Sequence, residues 1–259
     1  MRVGEIAKRI EERLPLAWSE DWDNAGLTIG DPDAETERVA VSLDATERSV
    51  CMALGLGCKM LVTHHPAIFR PVNRIVRPSP VVGMISAALS GGLSVYSAHT
   101  NWDSSPGGVN VTLSNLLGLS GVSPIEPPKR GEWGMGAIGR MAAPVTLTRL
   151  ARQVKDAWGL SAVTAYGDDE STLSLAALCG GAGSELMQAA LDLGADVYIT
   201  ADVSYHYILH AQGSRTCLIV VNHGEMERVS LPGLCEVVRE ASGLDAVLLE
   251  DDIWVPMII

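Results

Sequence analysis

Six histidines, at positions 64, 65, 99, 206, 210 and 223, are the side chains of this sequence best suited to chemistry, and most of them sit where an apolar run ends. His64 and His65 follow Met60-Leu-Val-Thr, so a strand would deliver two adjacent imidazoles to the loop at its carboxyl end, where open α/β sheets bind ligands. Neighbouring residues point to opposite sides if a strand continues, an arrangement that suits two metal ions better than one. A core reading would need partners for two buried imidazoles side by side. Ser97-Ala-His-Thr-Asn-Trp-Asp103 follows a second apolar run and brings His99 and Asp103. The plainer alternative there is a turn in which Asp103 and Ser104 cap the next helix. Val220-Val-Asn-His-Gly-Glu-Met-Glu227 follows a third run and presents His223 with Glu225 and Glu227. Imidazole nitrogen and carboxylate oxygen together suit zinc, iron or manganese rather than calcium. Three such clusters, divided between the two halves of the chain, are jointly harder to read as structural accidents than any one alone.

Other side chains offer supporting roles, each beside a plainer reading. His206 and His210 lie four apart on one expected helix, but no Glu follows the first, as it would in a metalloprotease motif. His99 and His206 are the candidates for passing protons. Arg70, Arg74 and Arg77 fall directly after His-His-Pro in a chain with few lysines, and guanidinium groups suit bidentate phosphate contacts. Arg70 and Arg74 are therefore candidate substrate-binding residues; the alternative is a solvated surface. Gly180-Gly-Ala-Gly-Ser184 follows an apolar run and opens a helix, which fits either an anion site or a tight strand-to-helix turn. Asp23, Asn24, Asp44 and Thr46 either orient the histidines or cap helices.

The elements that must position these residues follow the rhythm of an α/β protein with parallel or mixed sheets. Strands are expected over 38–43, 60–63, 93–98, 173–178, 197–200, 217–221 and 246–249. Helices are expected over 47–56, 184–193 and 203–212, closed by Gly57, Gly194 and Gly213. The Pro- and Gly-rich stretch 121–136 is the best linker, giving expected domains at 1–125 and 126–259.

Composition narrows the function classes. The chain has 259 residues, 47% apolar and 19% charged, which describes a folded globular protein of two domains or one large unit. Its net charge of −12 repels a polyphosphate backbone, so nucleic-acid binding by bulk charge is not expected. Five cysteines without a C-x-x-C pair read as buried thiols in a reducing, cytoplasmic setting. The charged amphipathic N-terminus lacks the apolar region of an export signal. The uncharged stretch 78–102 is broken by prolines and a glycine pair and is not expected to span a membrane.

Six ordered motifs carry a resemblance: Trp22-Asp-Asn-Ala-Gly-Leu27, Leu43-Asp-Ala-Thr46, Thr63-His-His-Pro-Ala-Ile-Phe69, Ala98-His-Thr-Asn-Trp-Asp103, Thr200-Ala-Asp-Val-Ser-Tyr-His206 and Asn222-His-Gly-Glu-Met-Glu227. Together they resemble the Nif3-like (NGG-interacting factor 3-like) family of dinuclear metal-centre proteins, many of which carry the name GTP cyclohydrolase I type 2 homologue. The likeness runs from about residue 5 to residue 240. It implies two α/β halves with mixed sheets, a dinuclear site in the cleft between them, and a toroidal homohexamer. It also implies two divalent ions held by His64, His65, Asp103, His223 and Glu227: His65 and Asp103 on one, His64 and His223 on the other, Glu227 bridging. Asn222, Gly224 and Ala201 depart from the family's usual residues, and none of these removes a ligand atom. The function so implied is a metal-dependent hydrolase that opens the imidazole ring of GTP and releases formate. The alternatives are a phosphohydrolase acting on a small phosphorylated metabolite and a non-catalytic metal-binding scaffold or regulator.

Overall fold

Strand-length apolar runs separated by amphipathic spacers fold as an α/β chain, seen in a computed structural model that describes residues 1–250. In chain order the elements are α1 (Val3–Arg13), β1 (Gly26–Ile29), β2 (Arg38–Ser42), α2 (Glu47–Gly55), β3 (Met60–Thr63), α3 (Pro80–Gly91), β4 (Ser94–Ser97), α4 (Thr100–Asp103), α5 (Val109–Leu116), β5 (Ser120–Ser123), β6 (Ala137–Val145), α6 (Leu147–Trp158), β7 (Val163–Tyr166), β8 (Leu173–Leu178), α7 (Met187–Asp192), β9 (Val197–Ala201), α8 (Tyr205–Ser214), β10 (Cys217–Val221), α9 (His223–Arg228), α10 (Leu231–Ser242) and β11 (Asp245–Leu248).

Two units result. Among the described residues, the first holds Met1–Trp102 together with 231–250, and the second holds Asp103–Ser230. The division therefore differs from a single boundary near residue 125. The Gly- and Pro-rich stretch 121–136 lies within the second unit, where it links β5 to the antiparallel β6. The chain returns to the first unit because β11 pairs in parallel with β2, while α10 packs against α1 and β11.

In the first unit the strand order is β1-β4-β3-β2-β11. All neighbours are parallel except β1 with β4. Every residue of β3 is buried, as a central parallel strand requires. Val50, Ala53, Leu61, Met84 and Val95 belong to one hydrophobic cluster. Thr46 starts α2 through a reciprocal capping box with Ser49. Ser79 caps α3, which ends on a left-handed Gly92. Thus α3 and β4 account for most of the uncharged stretch, and among the described residues no helix is long and apolar enough to cross a membrane.

The second unit has strand order β5-β6-β8-β9-β10-β7, with β8, β9 and β10 parallel at its centre. Ile138, Ala177, Met187, Tyr198 and Leu218 share its core. The expected helix at 184–193 begins as a 3-10 turn at Ser184–Leu186 before α7. Gly213 does not close α8: it is helical, and Arg215 takes the left-handed position after the helix instead.

Candidate metal centre

In the first unit, three adjacent parallel strands deliver the chemistry at their carboxyl ends. His64 N and His65 N donate to Ser42 O at 3.2 Å and Leu43 O at 2.9 Å, extending the β2–β3 ladder past the strand. Ala98 N donates to Thr63 O at 2.8 Å and fixes the exit of β4 before His99. Each imidazole is then held through Nδ1. His64 Nδ1 lies 3.0 Å from Ala98 O, His65 Nδ1 lies 2.7 Å from Asp44 Oδ1, and His99 Nδ1 lies 2.8 Å from Asp23 Oδ1. A carbonyl or carboxylate only accepts, so each Nδ1 donates, and a ring that gives up its other proton would carry its lone pair on Nε2.

The two neighbouring histidines do not diverge as an extended strand would make them. β3 ends at Thr63, and the rings of His64 and His65 lie 5.0 Å apart between centroids. Ligand atoms from His64, His65 and His99 fall within 4.8 Å of one another and could hold a metal ion. His99, read from sequence as a proton carrier, thus joins the imidazole group. Asp23 is deeply committed. Burial would raise its pKa, but hydrogen bonds from His99 and Thr100 and the charge of His99 outweigh this and lower it to about 2.

The second unit repeats the plan with β8, β9 and β10. Asn222 accepts from Glu225 N at 3.0 Å and caps α9. One turn of helix brings His223 and Glu227 to the same face, with Nε2 and Oε2 3.0 Å apart. Asp202, directly after β9, holds His223 Nδ1 at 2.6 Å. Its φ of 51° is left-handed, a conformation rare outside glycine and concentrated at functional positions. Gly181 has a φ of +67°; a Cβ there would overlap Glu227 Oε1 and lie 3.0 Å from His223 Nε2. The glycine turn therefore makes room for these donors. Two of its amides are engaged within the protein, Gly180 N with Asn110 Oδ1 at 2.9 Å and Gly183 N with Thr200 Oγ1 at 3.0 Å, which braces the turn.

Asp103, 7% exposed, ends α4. Asn110 Nδ2 donates to its carbonyl at 3.1 Å, tying it to the glycine turn. Burial first, then the charges of Asp103 and Glu227, push the Cys179 thiol far up, so both carboxylates bear on one buried point and the thiol stays protonated. Neither Asp103 nor Ser104 caps α5, whose N-cap is Gly108.

The remaining candidates lie elsewhere. Glu225 accepts from Ser161 N at 3.1 Å and Ser161 Oγ at 2.9 Å, a structural role rather than a ligand's. His206 is exposed on the first turn of α8 and is in no metal-capable group found among the described residues. His210 Nε2 bonds to Gln188 Oε1 at 2.9 Å. Arg70 and Arg74 are exposed between β3 and α3, and Arg77 faces Glu47 at 3.7 Å. Asp202 and Asn110 are the residues that sequence reasoning left without a role. The position of Asp202 directly after an apolar strand, shared with the histidines, was the available signal.

The donors fit a divalent transition metal: Nε2 lone pairs fixed by Nδ1 contacts, with nearby carboxylates, are the nitrogen and oxygen set such ions take. A family model described as Duf34/NIF3 (NGG1p interacting factor 3) matches residues 1–251. A Clostridium perfringens protein named GTP cyclohydrolase 1 type 2 homolog is 30% identical over 241 residues, 93% of this chain and 92% of that one. NIF3-like protein 1 of Drosophila melanogaster is 27% identical over 259 residues, 97% and 87% of the two chains. In fold, the chain matches a Bacillus cereus protein related to NIF3 with a TM-score of 0.93 at 20% identity, over 100% of this chain and 99% of that one. The family match over nearly the whole length, on a fold with two mixed α/β halves, places this chain in the Duf34/NIF3 family.

Proposed function

We propose that this chain is a metal-dependent hydrolase whose dinuclear centre is held by His64, His65, Asp103, His223 and Glu227. The observation that carries the reading is the engagement of Nδ1 on His64, His65 and His223 by acceptors of the protein, which makes Nε2 the nitrogen each ring would offer to a metal ion. Chain order supports it as well. Asp103 follows His99 by four residues across one unit boundary, and Glu227 lies shortly before the other. Zinc, iron or manganese suits these donors.

Two such ions, when bound, supply Lewis acidity that yields a nucleophile from water near neutral pH and polarises the group attacked. The protein's own part is positional. Asp44 and Asp202 keep two imidazoles in register, and Gly181 gives Glu227 the space to reach inward. His99, with Nδ1 held by the ionised Asp23, presents Nε2 as the atom that takes up or returns a proton. Arg70 and Arg74 offer cationic groups to substrate phosphates.

The names of the relatives favour GTP as substrate, with one water adding to the imidazole carbon of the base and opening the ring to a formamide, and a second water hydrolysing that formamide to release formate. Metal-replete protein incubated with GTP is expected to release formate above an EDTA-treated control. No formate, together with no cleavage across a panel of small phosphoesters, would contradict a hydrolase and leave a non-catalytic metal-binding scaffold. Replacing Arg70 and Arg74 by Ala is expected to raise KM for the phosphorylated substrate without changing metal content; an unchanged KM would remove both from the site.

A further inference from the structure

Trp22 and Phe69 are 59% and 53% exposed, yet hydrogen bonds hold both of their segments. Asp23, beside Trp22, accepts from Thr100 N at 3.0 Å and Thr100 Oγ1 at 2.5 Å. Asn24 Nδ2 donates to Ile68 O at 2.6 Å, tying the Trp22 segment directly to that of Phe69. The two rings meet edge to face, 5.9 Å between centroids and 73° between planes. Each also meets His99 edge to face, Trp22 at 6.0 Å and 74°, Phe69 at 6.3 Å and 89°. Three steeply inclined rings therefore form a fixed corner beside His64 and His65, whose rings lie 5.3 and 5.9 Å from that of His99.

Packing does not explain this corner. Large aromatics that serve a core are covered by it, whereas Trp22 and Phe69 are each more than half exposed while hydrogen bonds hold their segments. Aliphatic residues would fill a merely greasy rim. Aromatic rings add a quadrupole that favours flat π systems in offset or edge-to-face contact, and every nucleobase offers such a face. Arg70 follows Phe69 directly and is exposed, so an anionic group attached to the ring would meet a guanidinium.

We propose that Trp22 and Phe69 form the docking corner for the flat heteroaromatic ring of a phosphorylated substrate, with His99 as its third wall. This rests on the hydrolase reading for the site and adds the part of the substrate that is recognised. Equilibrium binding of GTP and of inorganic tripolyphosphate, an anion without the ring, to the metal-loaded full chain tests it. The unaltered chain is expected to bind GTP more tightly than tripolyphosphate. Trp22→Ala and Phe69→Ala are each expected to weaken GTP about 5- to 100-fold, leaving tripolyphosphate affinity and metal content unchanged, and Trp22→Phe to restore most of the loss. Should an Ala variant lose metal, Trp22→Phe and Phe69→Leu replace them: GTP preference kept by the first and lost by the second supports the corner. Equal affinity for the two probes, no GTP binding, or variants that bind GTP as the unaltered chain does would overturn it. Binding is read without turnover, so the absence of both formate release and phosphoester cleavage would defeat the hydrolase reading alone, and unchanged GTP affinity in the variants this one alone.

Discussion

Asp202 holds a left-handed backbone that costs a residue with a side chain about 1 kcal/mol or more, and its carboxylate reaches His223 Nδ1 at 2.6 Å. Asp44 and Asp23 serve His65 and His99 in the same way. Replacing Asp202 by Asn keeps the shape but removes the charge that favours one tautomer. Metal affinity is expected to fall about 10- to 100-fold with little change in Tm, as titration of metal-stripped protein would show. Asp23 carries a second signature. Its carboxyl titrates at about 2 in the fold against an ordinary 3.8, so it favours folding above pH 4, by about 2 kcal/mol, and that contribution is lost as pH falls from 4 towards 2. Metal-free Asp23→Asn is therefore expected to lose less stability than the parent between pH 5 and pH 2.5 in urea melts. The roles of Asp23 and Asp44 were legible as one of two readings, and Thr46 took the other, as a cap. That of Asp202 was not, because it depends on β9 and β10 lying side by side.

The strands legible in the sequence are those with a parallel neighbour: β2, β3, β4, β8, β9, β10 and β11. Parallel strands are covered on both faces and read as continuous apolar runs. The strands not foreseen, β1, β5, β6 and β7, pair only antiparallel. In β6 the run Arg140–Val145 is largely exposed, so its composition resembles a loop's. The donors hang from the legible set, which is why their positions could be anticipated. A central strand also sets their precision. Leu61 in β3 is fully buried, and Leu61→Ala is expected to cost about 2 to 5 kcal/mol in denaturant unfolding. Because the same strand delivers His64 and His65, metal affinity should fall with it; a loss of stability with affinity intact would mean that the histidines are positioned by their side-chain contacts alone.

For the whole molecule, chain order proved a poor guide to division. The chain enters the second unit at Asp103 and leaves it after Ser230; α10 and β11 then complete the first sheet, a pairing that no local pattern announces. Both crossings run beside proposed donor residues, Asp103 at one and Glu227 at the other. A net charge of −12 draws cations towards the protein and disfavours long polyanions, as the proposed metal-dependent activity on a small substrate requires. The account is tested most directly by calorimetric titration of the metal-stripped full chain with zinc and with manganese, checked by elemental analysis. The prediction is two ions per chain, falling to one or none in His64→Ala and in His223→Ala. No saturable binding, or two ions bound equally by both variants, would contradict it.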